Sequence, residues 1–319
     1  MLTSRALGRA IAAFGLVAAM ALPAAAQQKV RFAYLKSTTL IPFFFAIEKG
    51  YFKAEGIDLE LIAVAGGPAV AAALAGGSAD IGYAAPTPIA IAREQGQPYK
   101  FFIGLEREKH PDDLWGTMLA SERSGVKKLA DLKGKTIIMG PPGGLCELTV
   151  REWVSSAGLT WADIKPLYNP FPQMMAALEV GNADAACIIE PFTTAVQGND
   201  KIKAVQLSKG YLVPPVATYS VDGVFAKEDW IAANPKIIEG IKKAALKAWN
   251  ELAKEPKTVE KILTDEFRFP PTLISRLKLD FVAEVGIEAQ SFAPIIERMK
   301  KHGMLKPDFD GAKLVHTGK

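Results

Sequence analysis

Hydrophobic and polar positions along the chain alternate between two periods. Short strand-like segments at 30–34, 58–63, 81–85, 136–139, 164–168 and 185–189 are separated by stretches with helical spacing. After the first segment, Phe43, Ala46, Ile47 and Gly50 fall on one helical face, and Pro42 suits a first turn. A second helix is expected over 147–157, closed by Gly158 where the last turn needs a left-handed residue. Further on, Ile237, Ile241, Ala244, Ala245, Ala248 and Leu252 form a stripe opposite Lys242, Lys243 and Lys247, which predicts a helix packed on the first half of the molecule.

The same pattern occurs twice. The block AALAGGSAD at 72–80 reappears as AALEVGNAD at 176–184, each followed by a strand candidate and then by a proline, Pro86 or Pro191. Strand 30–34 answers strand 136–139, and 58–63 answers 164–168. Strands alternating with helices of this length imply crossover connections, mainly parallel sheets and helices on the sheet faces. Two such halves make two lobes. The stretch 121–135 is expected to connect them, and the chain to cross back near 211–219, where Pro214 and Pro215 interrupt any regular element.

The first 26 residues read as a secretory leader that is cleaved before Gln27. Arg5 and Arg9 form the basic start, 11–22 the apolar middle, and Ala24, Ala25 and Ala26 the cleavage site. No later apolar run approaches the roughly 18 residues of a membrane span, and no cysteine follows the leader to take a lipid. The expected product is soluble, exported and not lipid-anchored. A net charge of +4, which falls when the leader's two arginines are removed, is too small and dispersed for a nucleic-acid surface. Cys146 and Cys187 each lie in an apolar stretch, where buried free thiols are expected, although an oxidising compartment also permits a bridge.

In open α/β sheets, ligands collect beyond the carboxyl ends of the strands. Four loops occupy that position. Lys36, Ser37, Thr38 and Thr39 offer hydroxyls to a polar ligand or simply cap a helix. The segment Gly140, Pro141, Pro142, Gly143 and Gly144 lets backbone amides approach a ligand, or makes a tight turn. Tyr83 and Thr87 flank Pro86, and Glu190 and Phe192 flank Pro191. The two aromatics are suited to enclosing a ligand. Glu190 either accepts from ligand donors or serves a helix start. Gly66 and Gly67 open one more helix that reaches the same site.

Catalytic signatures are missing. His110, His302 and His316 are scattered, and there is no HExxH, paired CxxC or GxSxG, so neither a metal site, a cofactor nor a catalytic group is expected. Arg107 and Lys109 either draw an anion toward the cleft or, flanked by Glu106 and Glu108, form a solvated face, the commoner case.

The segments PFFFAIEKGYFKAEGIDLEL at 42–61, GGSADIGYAAPTP at 76–88, DLKGKTI at 131–137 and ADAACIIEPF at 183–192 resemble the periplasmic substrate-binding proteins of ABC importers. The nearest group contains the nitrate, sulfonate, taurine and thiamine-precursor binding proteins. The resemblance implies an α/β, two-lobed periplasmic-binding-protein fold (type II), with lobe 1 formed by 27–120 plus 216–319 and lobe 2 by 121–215. Two hinge strands would join the lobes. It places ligand contacts at Thr38, Thr39, Tyr83, Thr87, Gly143, Gly144 and Glu190. The chain lacks the cysteine-rich segment of the pyrimidine-precursor synthases in the same superfamily.

The expected function is therefore capture of a small organic nutrient in the interlobe cleft by hinge closure, followed by delivery to permease subunits. The protein is expected to work in the periplasm, as a monomer and without covalent chemistry. The expected ligand is a sulfonate or taurine-like compound, an aromatic carboxylate or a nitrogen heterocycle. Glu190 facing the ligand would favour an amine, amide or protonated ring over a dianion. The alternative is an exported or pyrimidine-precursor-related enzyme on the same scaffold. A DNA-binding regulator would need a helix-turn-helix where the leader stands.

Overall fold

The computed structural model describes residues 27–110, 115–277, 279 and 286–318, so the expected leader lies outside the described residues. In chain order the strands are β1 (Gln28–Tyr34), β2 (Ile57–Ala63), β3 (Ile81–Ala84), β4 (Tyr99–Gly104), β5 (Arg107–Lys109), β6 (Thr117–Ser121), β7 (Thr136–Met139), β8 (Lys165–Tyr168), β9 (Ala185–Ile188), β10 (Ala204–Lys209), β11 (Thr218–Ser220) and β12 (Gly223–Lys227). The helices are α1 (Ile41–Glu48), α2 (Tyr51–Ala54), α3 (Gly67–Ala75), α4 (Pro86–Glu94), α5 (Leu145–Ser156), α6 (Phe171–Val180), α7 (Phe192–Gln197), α8 (Glu228–Ala233), α9 (Pro235–Leu252), α10 (Pro256–Asp265), α11 (Pro271–Ile274) and α12 (Ala293–Lys301).

The repeated sequence folds into two five-stranded sheets of matching topology. The first runs β2-β1-β3-β12-β4 and the second, read in the same sense, β8-β7-β9-β6-β10. In each, three parallel strands from the repeat are followed by one antiparallel strand and then a fourth repeat strand. Parallel strands are covered on both faces by their crossover helices, so their central members are apolar throughout. Every residue of β3 (IGYA) and of β9 (AACI) is buried accordingly.

The antiparallel insert of each sheet, β12 or β6, adjoins a passage of the chain between the sheets. Those passages contain β5 and β11, which pair antiparallel in a two-stranded ribbon. Because β6 already belongs to the second sheet, the first passage precedes Thr117 and does not fall at 121–135. Residues of that later stretch instead form short 3-10 turns and lead into β7.

Helix α5 ends as the pattern predicts, with Gly158 at φ 74°. Helix α9 buries Ile241, Ala244, Ala245, Ala248 and Leu252 within one core with α1, where Phe43 and Trp249 meet edge to face at 6.2 Å. Each fully buried side chain of this size contributes about 1.5–3 kcal/mol. No helix among the described residues is long and apolar enough to cross a membrane.

Helix α5 also joins the two halves. Leu148 packs into the core built from α3, α4 and α12, and on the same helix the buried Glu152 receives Lys301 at 2.9 Å, His302 at 2.5 Å and Arg298 at 3.4 Å. The amide of Val213, on the return passage, donates to the same carboxylate at 3.2 Å.

Candidate ligand-binding cleft

The loops that leave the carboxyl ends of the parallel strands meet between the two sheets and enclose about 750 Å3 of non-protein space, open mouth included. Thr38, Gly67 and Tyr83 line it from the first sheet, and Gly144, Phe171 and Glu190 from the second. Its base is made by the passages between the sheets, through Glu106, Trp115, Tyr211 and Asp222. No lysine, arginine or histidine among the described residues lines it.

Two of the basal groups form an acid pair. Asp222 accepts from the Tyr83 hydroxyl and from the Glu106 amide at 3.0 Å. Burial pushes its carboxyl up to about 6, against the lowering effect of the Tyr83 hydroxyl. Burial and the adjoining Asp222 charge push Glu106 well above the usual carboxylate range. Thr39 supports the pair from behind, its hydroxyl donating to Glu106 Oε2 at 3.4 Å.

At the second sheet the positive helix ends are already filled. The amide of Gly143, at φ +75° and just before α5, donates to Glu147 Oε2 at 2.9 Å, so a carboxylate of the helix itself stands at its start. Arg151 then binds Glu147 Oε1 at 2.7 Å. Glu190 does the same for α7, taking the Thr194 amide at 3.2 Å and the Thr194 hydroxyl at 3.0 Å. Burial raises the Glu190 carboxyl despite these donors.

The structure thus brings Thr38, Gly67, Tyr83, Gly144 and Glu190 to the cleft surface. The other expected contacts stand elsewhere. Thr87 is fully buried in α4 with its hydroxyl unpartnered, Pro142 is exposed, and Gly143 faces Ile91 and Glu147. Phe192 stacks on Phe171 at 6.1 Å and lines an adjoining space that shares Leu35 and Phe171 with the cleft. Lys36 turns away to the Glu266 carbonyl at 2.8 Å.

Glu106, Trp115, Tyr211 and Asp222 carry no motif; Lys109 is exposed and Arg107 half-buried, but of the acids that flank them Glu106 lines the cleft and Glu108 is buried. Glu108 is 1% exposed. It accepts from the amides of Trp115 at 2.8 Å, Gly116 at 3.2 Å and Tyr211 at 2.9 Å, and from the Tyr219 hydroxyl. A carboxylate with that many donors can be buried, though burial still raises it above its ordinary value. Alternation of acidic and basic residues in a three-residue strand was the available signal, since it puts Glu108 on the face opposite its neighbours.

Residues 37–259 match the family model described as NMT1/THI5 like. The chain belongs to the NMT1/THI5-like family. It is 27% identical to the nitrate/nitrite binding protein NrtA of Nostoc sp., an alignment spanning 89% of this chain and 68% of that protein. It is 31% identical to the putative aliphatic sulfonates-binding protein of Escherichia coli over 43% of this chain, which covers only 42% of that relative. Among solved structures, the alkanesulfonate-binding protein SsuA from Xanthomonas axonopodis pv. citri bound to MOPS superposes with a TM-score of 0.76 at 20% identity, over 90% of this chain and 98% of that one. The two-lobed α/β architecture is that of the periplasmic binding proteins, as the repeat and the resemblance led one to expect.

Proposed function

We propose that this NMT1/THI5-like protein is the solute-binding component of an ABC importer, holding a small organic ligand between its lobes and presenting the closed form to a permease. The carrying observation is the cleft itself, where loops from both sheets and both passages converge on one space. Ligand bound there touches both halves at once, so binding energy favours the closed arrangement over the open one. The relatives' names, which speak of nitrate and sulfonates, support the class of protein.

The chemistry of the cleft points to a different kind of ligand from a simple oxyanion. The ends of α5 and α7, which would greet an anion, are taken by Glu147 and Glu190, and the base carries Glu106 and Asp222. The proposed ligand has an apolar body and an ammonium, amide or protonated ring nitrogen directed at the acid pair. A nitrogen heterocycle or an amine-bearing zwitterion such as taurine fits that description.

Thermal-shift and isothermal titration with an aminopyrimidine, taurine, an alkanesulfonate and an aromatic carboxylate test this reading. The expected result is a raised midpoint with a nitrogen-bearing compound, together with a smaller radius of gyration in solution scattering. Tight binding of the plain sulfonate alone would refute the ligand class. Turnover of a bound compound would refute the binding role.

A further inference from the structure

The cysteines make none of the polar contacts just described, although Cys146 lines the cleft, and they touch each other. Cys146 is the second residue of α5 and Cys187 lies in β9, and their sulfurs stand 2.7 Å apart. They are 3% and 0% exposed. The Cys146 thiol also donates to the Cys187 carbonyl at 3.4 Å. Both are free thiols in this structure, with their sulfurs in contact, so a bond of roughly 2.05 Å would need only a short approach. Metal-thiolate chemistry would ask for further ligands, and no group of three or more His, Cys, Asp or Glu among the described residues is arranged to hold a metal.

We propose that Cys146 and Cys187 are joined by a disulfide that braces the second lobe's wall of the cleft. The bond would tie together the two loops that this lobe contributes. The loop through Gly144 enters α5 immediately before Leu145 and Cys146, and the loop through Ile189 and Glu190 leaves β9 just after Cys187. Closing a loop between positions 41 residues apart removes freedom from the unfolded chain and stabilises the native state.

The chemistry is thiol–disulfide exchange with a protein or small-molecule disulfide as the oxidant. One cysteine thiolate attacks that disulfide, forming a mixed disulfide and releasing one thiolate. The second cysteine then attacks its partner's sulfur, closing the Cys146–Cys187 bond and expelling the second thiol. Two electrons and two protons pass to the oxidant, which leaves as two thiols. Exchange needs an accessible thiolate, and burial pushes the Cys187 thiol well above its ordinary value, so the bond forms while the chain folds, before β9 is covered. Export to an oxidising compartment, expected from the leader, would supply the conditions.

The test is refolding of reduced, denatured protein in mixed oxidised and reduced glutathione, followed by denaturation with iodoacetamide. The expected product carries no alkylated cysteine, is lighter than the reduced protein by two hydrogens, and takes up two alkyl groups only after reduction. Its thermal midpoint should lie about 5 °C above that of the reduced protein. Cys146→Ser and Cys187→Ser should each leave a thiol that alkylates and a midpoint indifferent to reductant. Two alkylated cysteines in refolded wild-type protein, a stable glutathione adduct on one of them, or equal midpoints in both redox states would each overturn the proposal.

Discussion

Glu108 and Tyr219 sit directly opposite each other in the β5–β11 ribbon, and the tyrosine hydroxyl donates to the buried carboxylate. This bond joins the Tyr211 amide's donation to the same carboxylate in linking the outgoing and returning passages of the chain. Tyr219→Phe removes that donor while the three amide donors to Glu108 remain. The expected loss is about 1–2 kcal/mol, read from urea unfolding at neutral pH. An unchanged midpoint would mean that the three amides satisfy the carboxylate alone.

Asp222 makes stability depend on pH in a direction opposite to the usual one. Its ordinary value of 3.8 rises to about 6 in the folded protein, chiefly through burial. Between these values the folded chain retains a proton that the unfolded chain has released, so stability falls as pH climbs through that window. The contribution is about 3 kcal/mol in full. Asp222→Asn has no such proton, and unfolding midpoints from pH 4 to 7 should show the variant gaining on the wild type as pH rises. A constant difference across that range would contradict the assignment.

Glu152 works in the reverse sense. Burial pushes its carboxyl up, but donation from Lys301 and His302 outweighs this and holds it below 4.5. Its stabilisation is present above that value and is lost as pH falls through the depressed one. Glu152→Ala would leave Lys301, His302 and Arg298 without their shared partner, at a cost of about 3 kcal/mol. Hydrogen exchange should show α12 losing protection first, and uniform loss across the molecule would argue against a local tie.

Gly66 meets Pro141 across the cleft. A methyl group at position 66 would come within 2.7 Å of the Pro141 ring, whereas the backbone there is extended and accepts any residue. Gly66→Ala should therefore disturb only the approach of the two rims. About a tenfold loss of ligand affinity is expected, equivalent to about 1.4 kcal/mol, with the ligand-free thermal midpoint unchanged. Calorimetric titration and a melting curve check the two halves of this statement.

The repeat made most of the framework readable, because helix, turn and parallel strand are written in local periodicity. AALAGGSAD and AALEVGNAD fall in α3–β3 and α6–β9, equivalent positions of the two sheets. Thr38 and Glu190, beyond strand ends, and Tyr83, near the end of β3, were legible as lining residues for the same reason. Glu106, Glu108 and Asp222 were not. Whether a charge is buried depends on donors the local sequence does not contain, and those of Glu108 include Tyr211 and Tyr219, 103 and 111 residues further along. Helix-start carboxylates were ambiguous too, and for Glu190 it took the position of Thr194 to show that the helix claims it.

The placement of β12 between β3 and β4 has a consequence for the order in which the molecule is made. All five strands of the second sheet lie between Thr117 and Lys209, so that sheet can close as soon as this stretch has emerged. In the first sheet, β4 pairs with β12 and has no other strand neighbour in the sheet, leaving it without a strand until Gly223–Lys227 arrive. A chain emerging N-terminus first thus carries an unfinished lobe through most of its synthesis, and the half that begins the sequence is the last to be completed.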